Sequence, residues 1–99
     1  MSTVSDTILK QLGGAARLQA MIGVKQFTGN KDNLVVKWTA RSKNGANCVR
    51  VTLEPSDTYK VEFLSLRGTK ITPKGTTEGL YADDLIRHFE RETGLLLSL

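Results

Sequence analysis

The sequence predicts an α+β domain in which an N-terminal helix, broken at Gly13-Gly14, precedes a four- to five-stranded antiparallel β-meander, and a C-terminal helix packs on one sheet face. Three observations predict it. Apolar residues near the start recur at helical spacing, those from Leu34 to Phe63 alternate with polar ones, and helical spacing returns after Tyr81.

Val4, Ile8, Leu9 and Leu12 line one side of a short first helix, with Ser2, Thr3 or Ser5 available to cap it. Gly13-Gly14 ends that helix, Ala15 to Ile22 forms a second helical piece, and Gly23 provides its left-handed cap. Val24 to Thr28 adds an edge strand before a loop over Gly29 to Asn33. Leu34, Val36, Trp38 and Ala40 then alternate with Val35, Lys37, Thr39 and Arg41, the pattern of a half-buried strand. Lys43-Asn44-Gly45 contains an Asn-Gly pair, whose tolerance of positive φ favours a tight hairpin turn. From about Ala46 the next strand sends Val49, Val51 and Leu53 one way and Cys48, Arg50, Thr52 and Glu54 the other, until Pro55-Ser56-Asp57 reverses the chain.

Tyr59, Val61 and Phe63 open a further strand in one phase, while Leu64 and Leu66 fall in the other. Either both faces are covered there, or a β-bulge near Phe63-Leu64 resets the register. Gly68 makes a tight turn, Thr69 to Thr72 forms a short strand that Pro73 stops, and Gly75 to Gly79 is a loop. Tyr81, Leu85, His88 and Phe89 line one face of the last helix. Asp83 and Asp84 sit in its first turn, Arg91 near its last and Gly94 beyond it, an order that suits the helix dipole. The closing run Leu95-Leu96-Leu97-Ser98-Leu99 is apolar enough to pack on the sheet or against a second copy of the chain.

A chain of 99 residues has material for one core, so a single domain over 1–99 is expected. Apolar and charged fractions of 39% and 24% are those of a folded globular chain and exclude a disordered or collagen-like one. The single cysteine, Cys48, cannot form an internal disulfide and suits a reducing compartment. No secretory leader pattern is visible, and no stretch approaches the roughly 20 apolar residues of a membrane span. The expectation is a cytoplasmic protein without a membrane partner.

Catalytic options are few with one histidine and one cysteine. His88 falls beside the apolar stripe of its helix, where packing explains it, and Cys48 takes a solvent-side strand position as a surface or edge thiol. Asp83 and Asp84 diverge by about 100° on a helix and do not face one another. Gly13-Gly14 lacks the downstream Lys-Ser/Thr of a phosphate loop. A non-enzymatic protein with no cofactor and no metal is expected.

Charge is distributed unevenly. Between Val24 and Lys74 ten basic residues stand against four acids, and after Gly75 the balance reverses. Lys37, Thr39, Arg41, Arg50, Thr52, Lys60, Lys70 and Thr72 are expected on the sheet face opposite the core, with Lys43 in the adjoining turn. Such a row simply solvates a sheet, or it meets an acidic protein, or it contacts the phosphates of DNA or RNA through Lys37, Arg41, Lys43, Arg50, Lys60 and Lys70. Base stacking has little support, because Trp38, Phe63 and Phe89 fall on core faces and only Phe27 and Tyr59 are candidates for exposure.

The ordered segments ILKQLGG at Ile8 to Gly14, MIGVKQF at Met21 to Phe27, VRVTLEPSDTYKVEFLSLRG at Val49 to Gly68, EGLYADDL at Glu78 to Leu85 and ETGLLLSL at Glu92 to Leu99 resemble a family of small uncharacterised proteins of bacteriophages and other mobile elements. The resemblance covers nearly the whole chain and implies expression inside a bacterial host, with no catalytic residue to transfer. In topology the chain is also similar to sheet-plus-helix domains of the transcriptional coactivator and whirly type, which bind single-stranded DNA as dimers, although none of their motifs is visible. Together these readings give two expectations: a phage accessory protein that binds nucleic acid through a basic sheet face, or a protein-interaction module that engages a host protein or forms a homodimer.

Overall fold

A computed structural model describes residues 4–29 and 31–95. Two short helices, α1 (Val4–Gln11) and α2 (Ala15–Ile22), lead into five strands, β1 (Val24–Gly29), β2 (Asn33–Trp38), β3 (Cys48–Leu53), β4 (Tyr59–Arg67) and β5 (Lys70–Leu80). A 3₁₀ turn at Ala82–Asp84 then runs into α3 (Leu85–Thr93). The strands form one antiparallel sheet in the order β1-β2-β3-β4-β5, so every strand pairs with its sequence neighbour. The expected α+β meander is the observed architecture.

Helix breaks follow from backbone freedom. Gly13 and Gly14 have φ of 110° and 91°, and Gly23 caps α2 in the left-handed region with its N–H on the carbonyl of Gln19. Ile8 and Leu12 from α1, Leu18 and Ile22 from α2, and Leu85 and Phe89 from α3 are buried with Leu34, Val36, Trp38, Val49, Val51, Val61 and Phe63 of the sheet. Trp38 meets Phe89 edge to face at 5.2 Å, and Phe63 lies 5.8 Å from the His88 ring. The aromatics that the alternation placed inward are therefore core. Phe27, opposite Val36, packs against that core half-buried, and Tyr59 is buried, so neither is the exposed ring expected of it. Tyr81 is 65% exposed at the mouth of the 3₁₀ turn instead of lining the helix.

The strand reading needs three corrections. First, Asn44-Gly45 does not close a tight hairpin: β2 ends at Trp38 and β3 starts at Cys48, and of that pair only Gly45 has positive φ. Tertiary bonds override the local preference, because Ala40 N donates to Ile22 O and Lys43 N to Thr93 O, which pulls the connection toward the helix ends. Secondly, the β-bulge expected near Phe63-Leu64 is present, but its extra residue lies in β5, so β4 keeps one phase against β3 from Tyr59 to Leu64; a second shift lies between Tyr59 and Val61. Phe63 pairs with Gly75 and Leu64 with Pro73, leaving Lys74 as the extra residue, so Leu64 and Leu66 point to the outer face. Thirdly, β5 continues through Pro73 and the expected Gly75–Gly79 loop to Leu80. As an edge strand it tolerates a residue without an N–H. Leu95 is half-buried against the core, while the rest of the apolar tail lies outside the described residues.

Candidate nucleic-acid interface

The six candidate cations, five expected on one face and Lys43 in the adjoining turn, divide among three places. Lys37 pairs with Cys48 across β2 and β3, and Arg50 with Glu62 and Thr52 with Lys60 across β3 and β4, so Lys37, Arg50 and Lys60 share the outer face, away from the helices. Arg50 is committed there. Its Nε and Nη2 each donate to the Glu62 carboxylate at 2.9 Å, a bidentate pair that holds Glu62 below the usual carboxylate range and cancels one positive charge of the row. Lys70 pairs with Arg67 and Thr72 with Ser65, and both follow the phase of Phe63, so they stand on the helix side of the sheet instead of the outer face. Arg41 and Lys43 leave the sheet altogether, in the connection between β2 and β3.

Cys48 is buried although its strand phase is outward, which corrects the surface-thiol reading. Burial pushes its thiol up, against the opposing pull of Lys37 and Arg50. It belongs to the opposite sheet face from His88, so the two do not form a catalytic pair. His88 is buried on α3 as the apolar stripe implied, its pKa lowered chiefly by desolvation. Arg91 donates to His88 Nδ1 at 3.3 Å, which leaves the ring proton on Nε2. Among the described residues no group of three or more His, Cys, Asp or Glu converges in a way that holds a metal ion.

Arg41 and Lys43 meet a residue that the outward-row reasoning passed over. With Arg67 from the end of β4 they line a pocket of about 390 Å³ at one end of the sheet, whose lining contains no acidic residue. Lys74 adds to its rim, since a Cβ on Gly45 would lie 3.5 Å from Lys74 Cε and 3.6 Å from Nζ. Lys70 stands across the hairpin from Arg67. Arg67 and Lys74 were hard to find because the site is built by a hairpin end and a bulge, neither of which alternation records; ten basic residues against four acids in this stretch was the only hint.

Three polar side chains of the wall, those of Thr39, Ser42 and Asn47, are bonded to backbone, while Ser65 also lines the pocket. Thr39 Oγ1 donates to Gly23 O at 3.1 Å, and Ser42 Oγ donates to Ala46 O. Asn47 bonds through both amide atoms to the backbone of Leu66. The backbone of Lys43 is tied to Thr93 at 2.7 Å. The pocket is thus a braced frame with Arg41, Lys43 and Arg67 on its lining and the Lys43 stem running along Gly94, residue types suited to binding an oxyanion. No aromatic ring lines it.

No family model, curated protein or solved structure matches the chain. Among the described residues no helix is long and apolar enough to cross a membrane.

Proposed function

We propose that this is a small non-enzymatic accessory protein of a bacteriophage or mobile element, working in the host cytoplasm, that binds nucleic acid through its phosphates. The pocket lined by Arg41, Lys43 and Arg67 without a single carboxylate carries the proposal. Lys70 and Lys74 extend the positive field at that end, and Lys37 and Lys60 supply a weaker contribution on the outer face. The lack of a ring in the pocket supports contact with the backbone over base stacking, and so little sequence preference. The experiment is fluorescence anisotropy with single-stranded and duplex oligonucleotides over a salt series. Each neutralised phosphate contributes about −0.7 to −0.9 to the slope of log K against log salt, so a site of three to five cations gives a slope of roughly −2 to −4.5. Arg41→Glu with Arg67→Glu is expected to abolish binding while the circular dichroism stays native. Absence of binding by the native protein at low salt overturns the reading.

A second reading, a protein-interaction module or homodimer, has one observation in its favour. Ile71 is 64% exposed and pairs with Leu66 on the outer face, beside Leu64 and Pro73. A dimer mass in light scattering that Ile71→Lys converts to a monomer mass supports it; a monomer at all concentrations removes the homodimer.

A further inference from the structure

We infer that the pocket between the β2–β3 connection and the end of β4 is a seat for a phosphomonoester, a terminal phosphate group carrying close to two negative charges, and that Arg41, Lys43 and Arg67 are its ligands. The inference rests on the nucleic-acid reading only for the source of that phosphate, a strand end.

Shape is the first argument. A site of about 390 Å³ bounded by chain segments from two parts of the fold is concave and about the size of a small-ligand pocket. The phosphodiesters of a duplex lie on a convex surface and reach only the rim, whereas a terminal phosphate projects from its strand and enters. Charge is the second. A phosphomonoester has a second pKa near 6 and carries about −1.5 to −2 at neutral pH, against −1 for an internal diester. Two arginines and a lysine on the lining, with Lys74 at the Gly45 rim, exceed the charge of either group and so favour the more negative monoester over the diester.

The state of the wall is the third argument. Thr39, Ser42 and Asn47 already donate to Gly23 O, Ala46 O and Leu66 O, so they brace the frame, and recognition falls to the charged groups with the Ser65 hydroxyl. Planar guanidinium forks suit the tetrahedral oxygens of phosphate, each reaching two of them. Gly45, at φ 78°, supplies the left-handed backbone of the turn at the rim, next to the Lys74 side chain. A frame ordered before binding loses little conformational freedom on binding.

The test uses the full chain and two linked measurements. Anisotropy compares one single-stranded oligonucleotide with a 5′-phosphate, with a 3′-phosphate and with hydroxyl ends. Amide chemical-shift mapping follows titration with a nucleoside monophosphate and with the matching nucleoside. A terminal phosphate is expected to tighten binding about ten-fold or more, the scale of one or two charge-assisted hydrogen bonds. Arg67→Gln should erase that preference, while Lys31→Gln, in the β1–β2 loop at the far end of β2, should keep it. The monophosphate, and not the nucleoside, should shift the amides of residues 39–47 and 65–67. Equal affinity for phosphorylated and hydroxyl ends, with no monophosphate shifts in those segments, overturns the inference even if oligonucleotides bind. Monophosphate shifts without binding of any oligonucleotide support the pocket and discard the nucleic-acid reading, leaving a free nucleotide as the source. Should Arg67→Gln unfold the chain, Arg41→Gln replaces it, since Arg41 is exposed and in no strand.

Discussion

Asn47 continues the β3–β4 ladder with its side chain: Nδ2 donates to Leu66 O at 3.0 Å and Oδ1 accepts from Leu66 N at 2.8 Å. Asn47 N still donates to Leu64 O at 3.0 Å, and one rung further along β4 the amide side chain takes the part of a peptide group. Asn47→Ala strands both polar groups of Leu66, and is expected to cost about 1–3 kcal/mol. The check is a urea titration, in which the midpoint falls and the slope is unchanged. Because Asn47 also braces the pocket, the same substitution should weaken anion binding more than the charge it leaves untouched implies.

The Arg50–Glu62 pair makes stability depend on pH in the acid range. The Arg50 hydrogen bonds hold the Glu62 pKa below its unfolded value, so the contribution is complete above the ordinary glutamate range and disappears as pH falls through the lowered folded value. The Arg50 side chain is 43% exposed, so water screens the pair and the effect is modest, below about 1 kcal/mol. Wild type and Glu62→Gln, compared by urea midpoint at about pH 7 and about pH 2.5, should differ at the first and converge at the second. A constant difference would show that Glu62 acts by packing alone.

His88 acts in the opposite sense to a salt-bridged histidine. Burial disfavours its charged form more than Asp84 and Glu92 restore it, with Arg91 adding repulsion. The unfolded chain therefore binds the proton more readily, and stability drops as pH falls below the ordinary value of 6.5. His88→Gln is expected to flatten the melting temperature between about pH 6.5 and the onset of general acid unfolding. An unchanged slope in that window would exclude His88 as its source.

Cys48 should behave as a core thiol. Burial and a raised pKa both keep the thiolate away from reagents, so an aromatic disulfide reagent at neutral pH is expected to label the native protein slowly and the urea-unfolded protein at once. Rapid labelling of the native state would contradict its burial.

The fold was legible where local pattern and tertiary context agree. Ile8 and Leu12, Gly23, the Leu34–Trp38 alternation and Gly94 each carry a local cause, and the structure follows them. It departs where context wins. Asn44-Gly45 has the chemistry of a tight turn, yet bonds to Ile22 and Thr93 stretch the connection. Pro73 reads as a stop in any central strand and is harmless on an edge. Lys70–Leu80 buries so little that no alternation betrays a strand. Arg41 and Lys43 were visible as candidates, but their association with Arg67 depends on how the β2–β3 connection folds back over the end of β4, a relation that spacing along the chain does not encode.

The three anchors of the β2–β3 connection, at Ile22, Thr93 and Leu66, lie in three elements far apart in sequence. A segment that would ordinarily be the first to fray cannot open without releasing the ends of α2 and α3 and the tip of β4 together. The bonded amides of Ala40, Lys43 and Asn47 should then exchange with solvent more slowly than those of an ordinary surface loop, and surface mutations that loosen the helix ends should weaken the pocket before the protein melts.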